Sequence, residues 1–133
     1  MPVALGFEEP ATFAVKASGD VTIVEIERLF QDIERDARLR QRPDVLVDAR
    51  GVRDAPTTSE LRIIAVDMGR LVQRGLGPIA VVTDSVFMYG IVRMFSFFAE
   101  AVCATVHPFH DVDDARRWLR KQPVKRTHAS RGA

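Results

Sequence analysis

One cysteine, one tyrosine and one tryptophan occur in the 133 residues of this chain, and the two signs of charge nearly cancel. Each scarcity removes a class of explanation. A single thiol, Cys103, cannot form a disulfide within the chain, so stability must come from a hydrophobic core. Its place in an apolar helical stretch suits a small buried hydrophobe better than a nucleophile. Without a second cysteine there is no thiolate pair to hold zinc. The net charge is +1, and Lys121, Lys125, Arg126 and Arg131 put +4 in the last thirteen residues, leaving −3 on the body. A basic tail on a mildly acidic body lacks the basic face that nucleic acid requires, so no nucleic-acid partner is expected. The first residues, MPVALGFEEP, hold neither a positive leader nor a long apolar run. Nothing there directs export, and a reducing cytoplasm is the expected location.

Motifs of catalysis are missing too. Gly75-Leu76-Gly77-Pro78 lacks the third glycine of a phosphate-cradling loop and is placed to end a helix instead of opening one. There is no nucleophile elbow. His107, His110, Asp111, Asp113 and Asp114 are the one cluster of metal-binding residue types. Asp111 is better read as a helix cap, with Asp113 and Asp114 in a first turn where the helix dipole favours carboxylates. No metal and no cofactor are therefore expected. Asp48, Arg50, Arg53 and Asp54 crowd one loop after a buried-type strand, at the end where open α/β sheets gather ligands. They form a candidate polar site for a small anion or, as a minority reading, for a small hydrolase or transferase. The alternative is an exposed ion-pair cluster of little consequence. No nucleophile, base and oxyanion donor converge, so no catalytic residue is assigned and the chain is read as a non-enzyme.

What is present is an ordinary globular composition, 47% apolar and 28% charged, enough for one domain with a real core. Strand-like Val3–Phe7 and Thr12–Ala17 come first. Thr22 and Glu25 have capping-box spacing, and Ile26, Leu29, Phe30, Ile33 and Ala37 form the stripe of a helix behind them. Asp44–Asp48 reads as a buried strand and ARGVRDAP as a loop. A second capping box, Thr57 to Glu60, opens a helix with Leu61, Ile64, Ala65, Met68, Leu71 and Val72 on its core stripe, which Gly75 stops. Pro78–Thr83 is a third core strand, Asp84 or Ser85 caps the next helix, and Thr105–Phe109 is a fourth. A last helix after Asp111 packs Val112, Ala115, Trp118 and Leu119, and Pro123 ends order. Strands alternating with helices at this spacing predict an α/β domain over residues 1–120: one mostly parallel sheet of four to five strands with about four helices. Residues 121–133 read as a disordered basic tail.

Several strings resemble the SpoIIAA-like branch of the STAS domain superfamily: "ASGDVT", "VLVDARGV", "GLGPIAVVTD", "YGIVRMFSFFAEA" and "FHDVDDARRWL". They span about residues 12 to 119. The resemblance implies that fold. In STAS anti-sigma-factor antagonists a serine in an Asp-Ser pair at the start of the second helix is phosphorylated. By position that pair falls on Pro56 and Thr57, where the aspartate is missing; Thr57 is the implied phospho-site. The branch is also linked by fold to lipid-handling domains, which implies an apolar ligand between helices and sheet, and the Met68, Met88 and Met94 contact is adaptable enough to open for one.

The stretch from Val86 to Ala104 is the most unusual feature. Only Gly90, Arg93, Ser96 and Glu100 interrupt nineteen otherwise apolar residues, which hold five of the ten aromatics. Arg93 and Glu100 make it a poor membrane span. At 100° per residue, Tyr89, Gly90, Arg93, Ser96 and Glu100 share an arc of about 120° and the apolar remainder covers about 240°, centred on Ile91, Phe95, Phe98 and Val102. A helix on a sheet needs only about 100° of apolar stripe. The surplus is covered either by neighbouring helices within the monomer or, the favoured reading, by a second partner: another copy of the chain, another protein, or an apolar ligand, met through Tyr89, Arg93, Ser96, Phe97 and Glu100. The expected protein is a binding or regulatory module that self-associates as a homodimer through helix 85–104.

Overall fold

The structure is a computed structural model that describes residues 3–123. All but the first three residues of the expected basic tail lie outside that range. Strands β1 (Val3–Glu8) and β2 (Thr12–Ala17) form an antiparallel hairpin, with Val3 opposite Ala17 and Glu8 opposite Thr12. Three further strands, β4 (Asp44–Asp48), β6 (Ile79–Val82) and β7 (Val106–Phe109), add in parallel to give the order β1-β2-β4-β6-β7. Helices α1 (Ile23–Arg35), α2 (Thr58–Gln73) and α3 (Val86–Glu100) connect the parallel strands, and α4 (Val112–Lys121) follows the last. This is the predicted mixed α/β fold.

Strand alternation decides what each face buries. Phe13, Val15, Val45 and Ile79 point to the face under α1, α2 and α3 and form the main core with Phe30, Ile33, Leu61, Ile64, Met68, Leu71 and Phe95. Each large side chain moved from water into that layer contributes about 1.5–3 kcal/mol. Leu46, Ala80 and Val82 point the other way, to Ala115 and Leu119 of α4.

The helix ends are where sequence and structure part. Thr22–Glu25 and Thr57–Glu60 are capping boxes as expected, and Ser85 caps α3 while Asp84 accepts the Gly51 N–H. Ala37, expected on the α1 stripe, is exposed in a separate 3-10 turn, Ala37–Gln41. Asp36 resets the chain there: its carboxylate accepts from the Arg38 N–H and guanidinium at 2.8–2.9 Å. At the end of α2 the Gly75 N–H bonds to Val72 O and the Leu76 N–H to Leu71 O, a Schellman closure with Gly75 at positive φ. The same two bonds recur after α3, Cys103 to Glu100 and Ala104 to Ala99. Cys103 takes the left-handed position with φ 64. It is therefore exposed and off the helix, not the buried hydrophobe its surroundings predicted. The helix proper ends at Glu100, short of the expected 104.

The ARGVRDAP segment is also more than a loop. Val52–Asp54 forms β5, which pairs in parallel with β3 (Gly19–Asp20) as a two-stranded ribbon beyond the carboxyl ends of β2 and β4. Val52 is buried, with Ala17, Ala49 and Met88.

Candidate functional site

Between the sheet and the three helices lies an apolar chamber of about 180 Å³. Its floor is Val15, Ala17, Val47, Ala49, Ile79, Val81 and Val106. Its roof comes from Ile26, Leu29 and Phe30 of α1, Leu61, Ile64 and Met68 of α2, and Met88, Ile91, Val92 and Phe95 of α3. Val21, Val52, Ala55 and Pro56 bring the ribbon and the start of α2 into the wall. At the carboxyl ends of β2 and β4 the inward residues are Ala17 and Ala49, short side chains that pack with Val52 and with Met88 of α3 at the end of the chamber. No lining residue carries a charge. The chamber can hold hydrocarbon and has no group for acid–base work.

Of the three methionines read as adaptable, Met68 and Met88 line the chamber, whereas Met94 packs at the edge of the core.

The polar loop residues do not converge. Asp48 and Arg50 bind each other through two bonds of 2.9 and 2.8 Å, and those bonds hold the Asp48 carboxyl below its usual range. They line a hollow of about 270 Å³ on the α4 side, with Lys16 and the paired Glu8 and Arg116. Arg53 and Asp54 are exposed on β5 and are not part of that hollow. Thr57 is exposed, and its hydroxyl accepts the Glu60 N–H at 3.2 Å while the Glu60 carboxylate accepts the Thr57 N–H at 2.8 Å. His107 lies against Phe109 and Trp118, and His110 stacks on Tyr89, so the two histidines have different neighbours.

The surplus arc of α3 is largely covered within the chain. Phe95 is buried, and Ile91, Phe98 and Val102 pack at the core edge. Arg62 of α2 lies 4.4 Å over the Phe98 ring. Tyr89 is stacked on His110 at 4.4 Å, which removes it from the outer face. The Ser96 hydroxyl donates to the Arg93 carbonyl. What remains uncovered is Val86, Phe87 and Phe97, the last 62% exposed, together with Ile63 and Val66 on neighbouring α2. Arg93 and Glu100 are exposed on either side of Phe97, and neither forms an ion pair among the described residues.

The SpoIIAA-like family model matches residues 12–120, nearly all of the described domain. The chain belongs to the SpoIIAA-like family. Among solved structures it is similar to an uncharacterised protein of the DUF3478 family with a SpoIIAA-like fold from Shewanella loihica PV-4. The two are 20% identical with a TM-score of 0.59, over 88% of this chain and 93% of that one. At that identity the likeness establishes the fold alone. A comparison with curated proteins finds no match. SpoIIAA-like membership supports a binding or regulatory module and no narrower activity. No helix among the described residues is long and apolar enough to cross a membrane.

Sequence reasoning missed the chamber wall, above all Ala17, Ala49 and Val52. The signal that could have found it is the pair of alanines ending two core strands where larger residues precede them.

Proposed function

We propose that this SpoIIAA-like chain is a non-catalytic binding module that holds a small apolar ligand in the chamber between its sheet and helices. One observation carries the reading: a wholly apolar wall lines about 180 Å³ of space between the sheet and the helices. Protein interiors pack with few voids larger than a water molecule. Apolar wall left in contact with water is unfavourable by about 25 cal/mol per Å². A hydrocarbon that fills the space removes that wall from water.

Self-association is the second reading, and the outer face of α3 favours it. Exposed Phe97 is flanked by Arg93 and Glu100, and two copies crossing antiparallel near Ser96 and Phe97 bring Arg93 of each opposite Glu100 of the other. Seven residues apart, the two cannot pair within one helix. A phosphate on Thr57 would meet a helix N-terminus, which attracts anions. The hydroxyl it would occupy already caps Glu60, so that switch is not adopted.

Native mass spectrometry of the purified chain tests both readings together. The expected spectrum carries an added mass of a small neutral molecule on a dimer. A bare monomer that takes up no apolar compound on incubation contradicts the proposal.

A further inference from the structure

Thr83 is completely buried, and its hydroxyl has no hydrogen-bond partner among the described residues. Its backbone N–H is satisfied by Phe109 O at 2.8 Å, so the side chain alone is orphaned. Buried hydroxyls are nearly always paired, and each exception asks for a reason.

Its place in the fold supplies one. Along β6, Ile79 and Val81 line the chamber, whereas Ala80 and Val82 face α4. Strand alternation returns Thr83, the next residue, to the chamber side. Asp48 pairs with Val82, and the Ala49 N–H bonds to Val82 O, so Ala49 is the cross-strand neighbour of Thr83. Ala49 lines the chamber, as do Ala17 beyond it and Met88 from α3. Thr83 therefore continues the row of short side chains that ends the chamber, one step past its present lining. Met88, unbranched and pliable, is the member of that end able to move aside.

We propose that the Thr83 hydroxyl anchors the chamber's ligand, and that the ligand is a small neutral molecule with one oxygen: an aryl or short alkyl ketone or alcohol. The inference rests on the chamber being the ligand site, and it narrows what that site takes. Size sets one limit. An apolar cavity of about 150 Å³ in another protein admits benzene, so the about 180 Å³ here suits one ring with a short substituent. Charge sets the other. A carboxylate or ammonium head would lose its hydration among side chains that offer no counter-charge. A single carbonyl gives Thr83 the acceptor it lacks and asks nothing further of the wall.

The test is calorimetric titration of the full chain with acetophenone and with cumene, which is similar in shape but has no oxygen, in wild type and Thr83→Val. The expected result is that Thr83→Val loses roughly three- to tenfold in acetophenone affinity, the value of one hydrogen bond, and keeps its cumene affinity. It should also melt higher without ligand, because an orphaned hydroxyl is gone. Thr83→Ala reports the same loss if the valine protein does not fold. Equal acetophenone affinity in wild type and variant, with cumene still bound, overturns the anchor and leaves the chamber reading intact. Failure of wild type to bind either compound overturns both.

Discussion

Cys103 holds a backbone conformation in which the Cβ of an L-residue crowds its own carbonyl. The helix closure after α3 requires that conformation, and the equivalent closure after α2 has Gly75 in the same role. Cys103→Gly should therefore raise stability by about 0.5–1 kcal/mol, read as a higher urea midpoint with unchanged slope. The pair also explains what a sequence can announce. Gly75 signals its turn because only glycine adopts that geometry freely, and it was legible. Cys103 makes the same turn at a steric cost and gives no signal. Asp44 poses a different residue-scale question. Its half-buried carboxylate accepts the Thr12 hydroxyl at 2.5 Å, yet burial outweighs that bond and pushes its pKa up. A carboxyl whose folded pKa exceeds its unfolded one favours the fold at low pH, and that contribution is lost as pH rises through the folded value. Asp44→Asn keeps an acceptor for Thr12. It should stabilise the chain near neutrality, with a gain that shrinks as pH falls through the raised pKa of Asp44 and the carboxyl takes up its proton. Glu8 has the opposite sign. Hydrogen bonds from Arg116 lower its pKa, so its contribution is present above the ordinary glutamate range and fades as pH falls through the depressed value.

At the scale of elements, α2 and the turn that closes α3 approach closely because position 69 is glycine. A Cβ there would lie 2.8 Å from the Cβ of Val102, closer than real atoms come. Gly69→Ala should destabilise the chain despite the better helix propensity of alanine, by about 1–2 kcal/mol after that gain is subtracted. Val102→Gly in the same chain removes the atom that is struck, so a double-mutant cycle by urea denaturation should be strongly non-additive. Elements of this kind were the most readable part of the sequence. Capping boxes, apolar stripes and alternating strands each repeat a local rule, and they gave the main strands and the four helices in order. The β3–β5 ribbon was not readable, since a two-residue strand at Gly19–Asp20 has no periodicity to detect. The covering of Phe98 by Arg62 of α2 was equally hidden, because helical phase gives the width of an apolar face and not which neighbour takes it.

At the scale of the whole molecule two faces ask for partners, one inside and one outside. For the outer face, Arg93→Glu should weaken a two-fold dimer through like charges, and adding Glu100→Arg should restore it. Sedimentation equilibrium of the single and double mutants checks this; a double mutant no better than the single argues against the crossing. The inner face was only partly legible. A chamber is a small mismatch between layers, which composition does not record; Ala17 and Ala49 line it at two strand ends. The resemblance to a family linked with lipid-handling domains implied an apolar ligand between helices and sheet, the layer in which the chamber lies.

That chamber is the centre of the account, and its most direct test is the melting temperature of the chain across a concentration series of cumene. A ligand that binds only the folded state adds RT ln(1 + [L]/Kd), about 2.7 kcal/mol at a hundred times Kd, so the midpoint should climb by several degrees and keep climbing with concentration. Ala49→Leu, which fills the strand end from within, should abolish that climb while the protein remains folded. A melting temperature that stays flat up to the solubility limit of the hydrocarbon, or one that climbs equally in the filled variant, would contradict it.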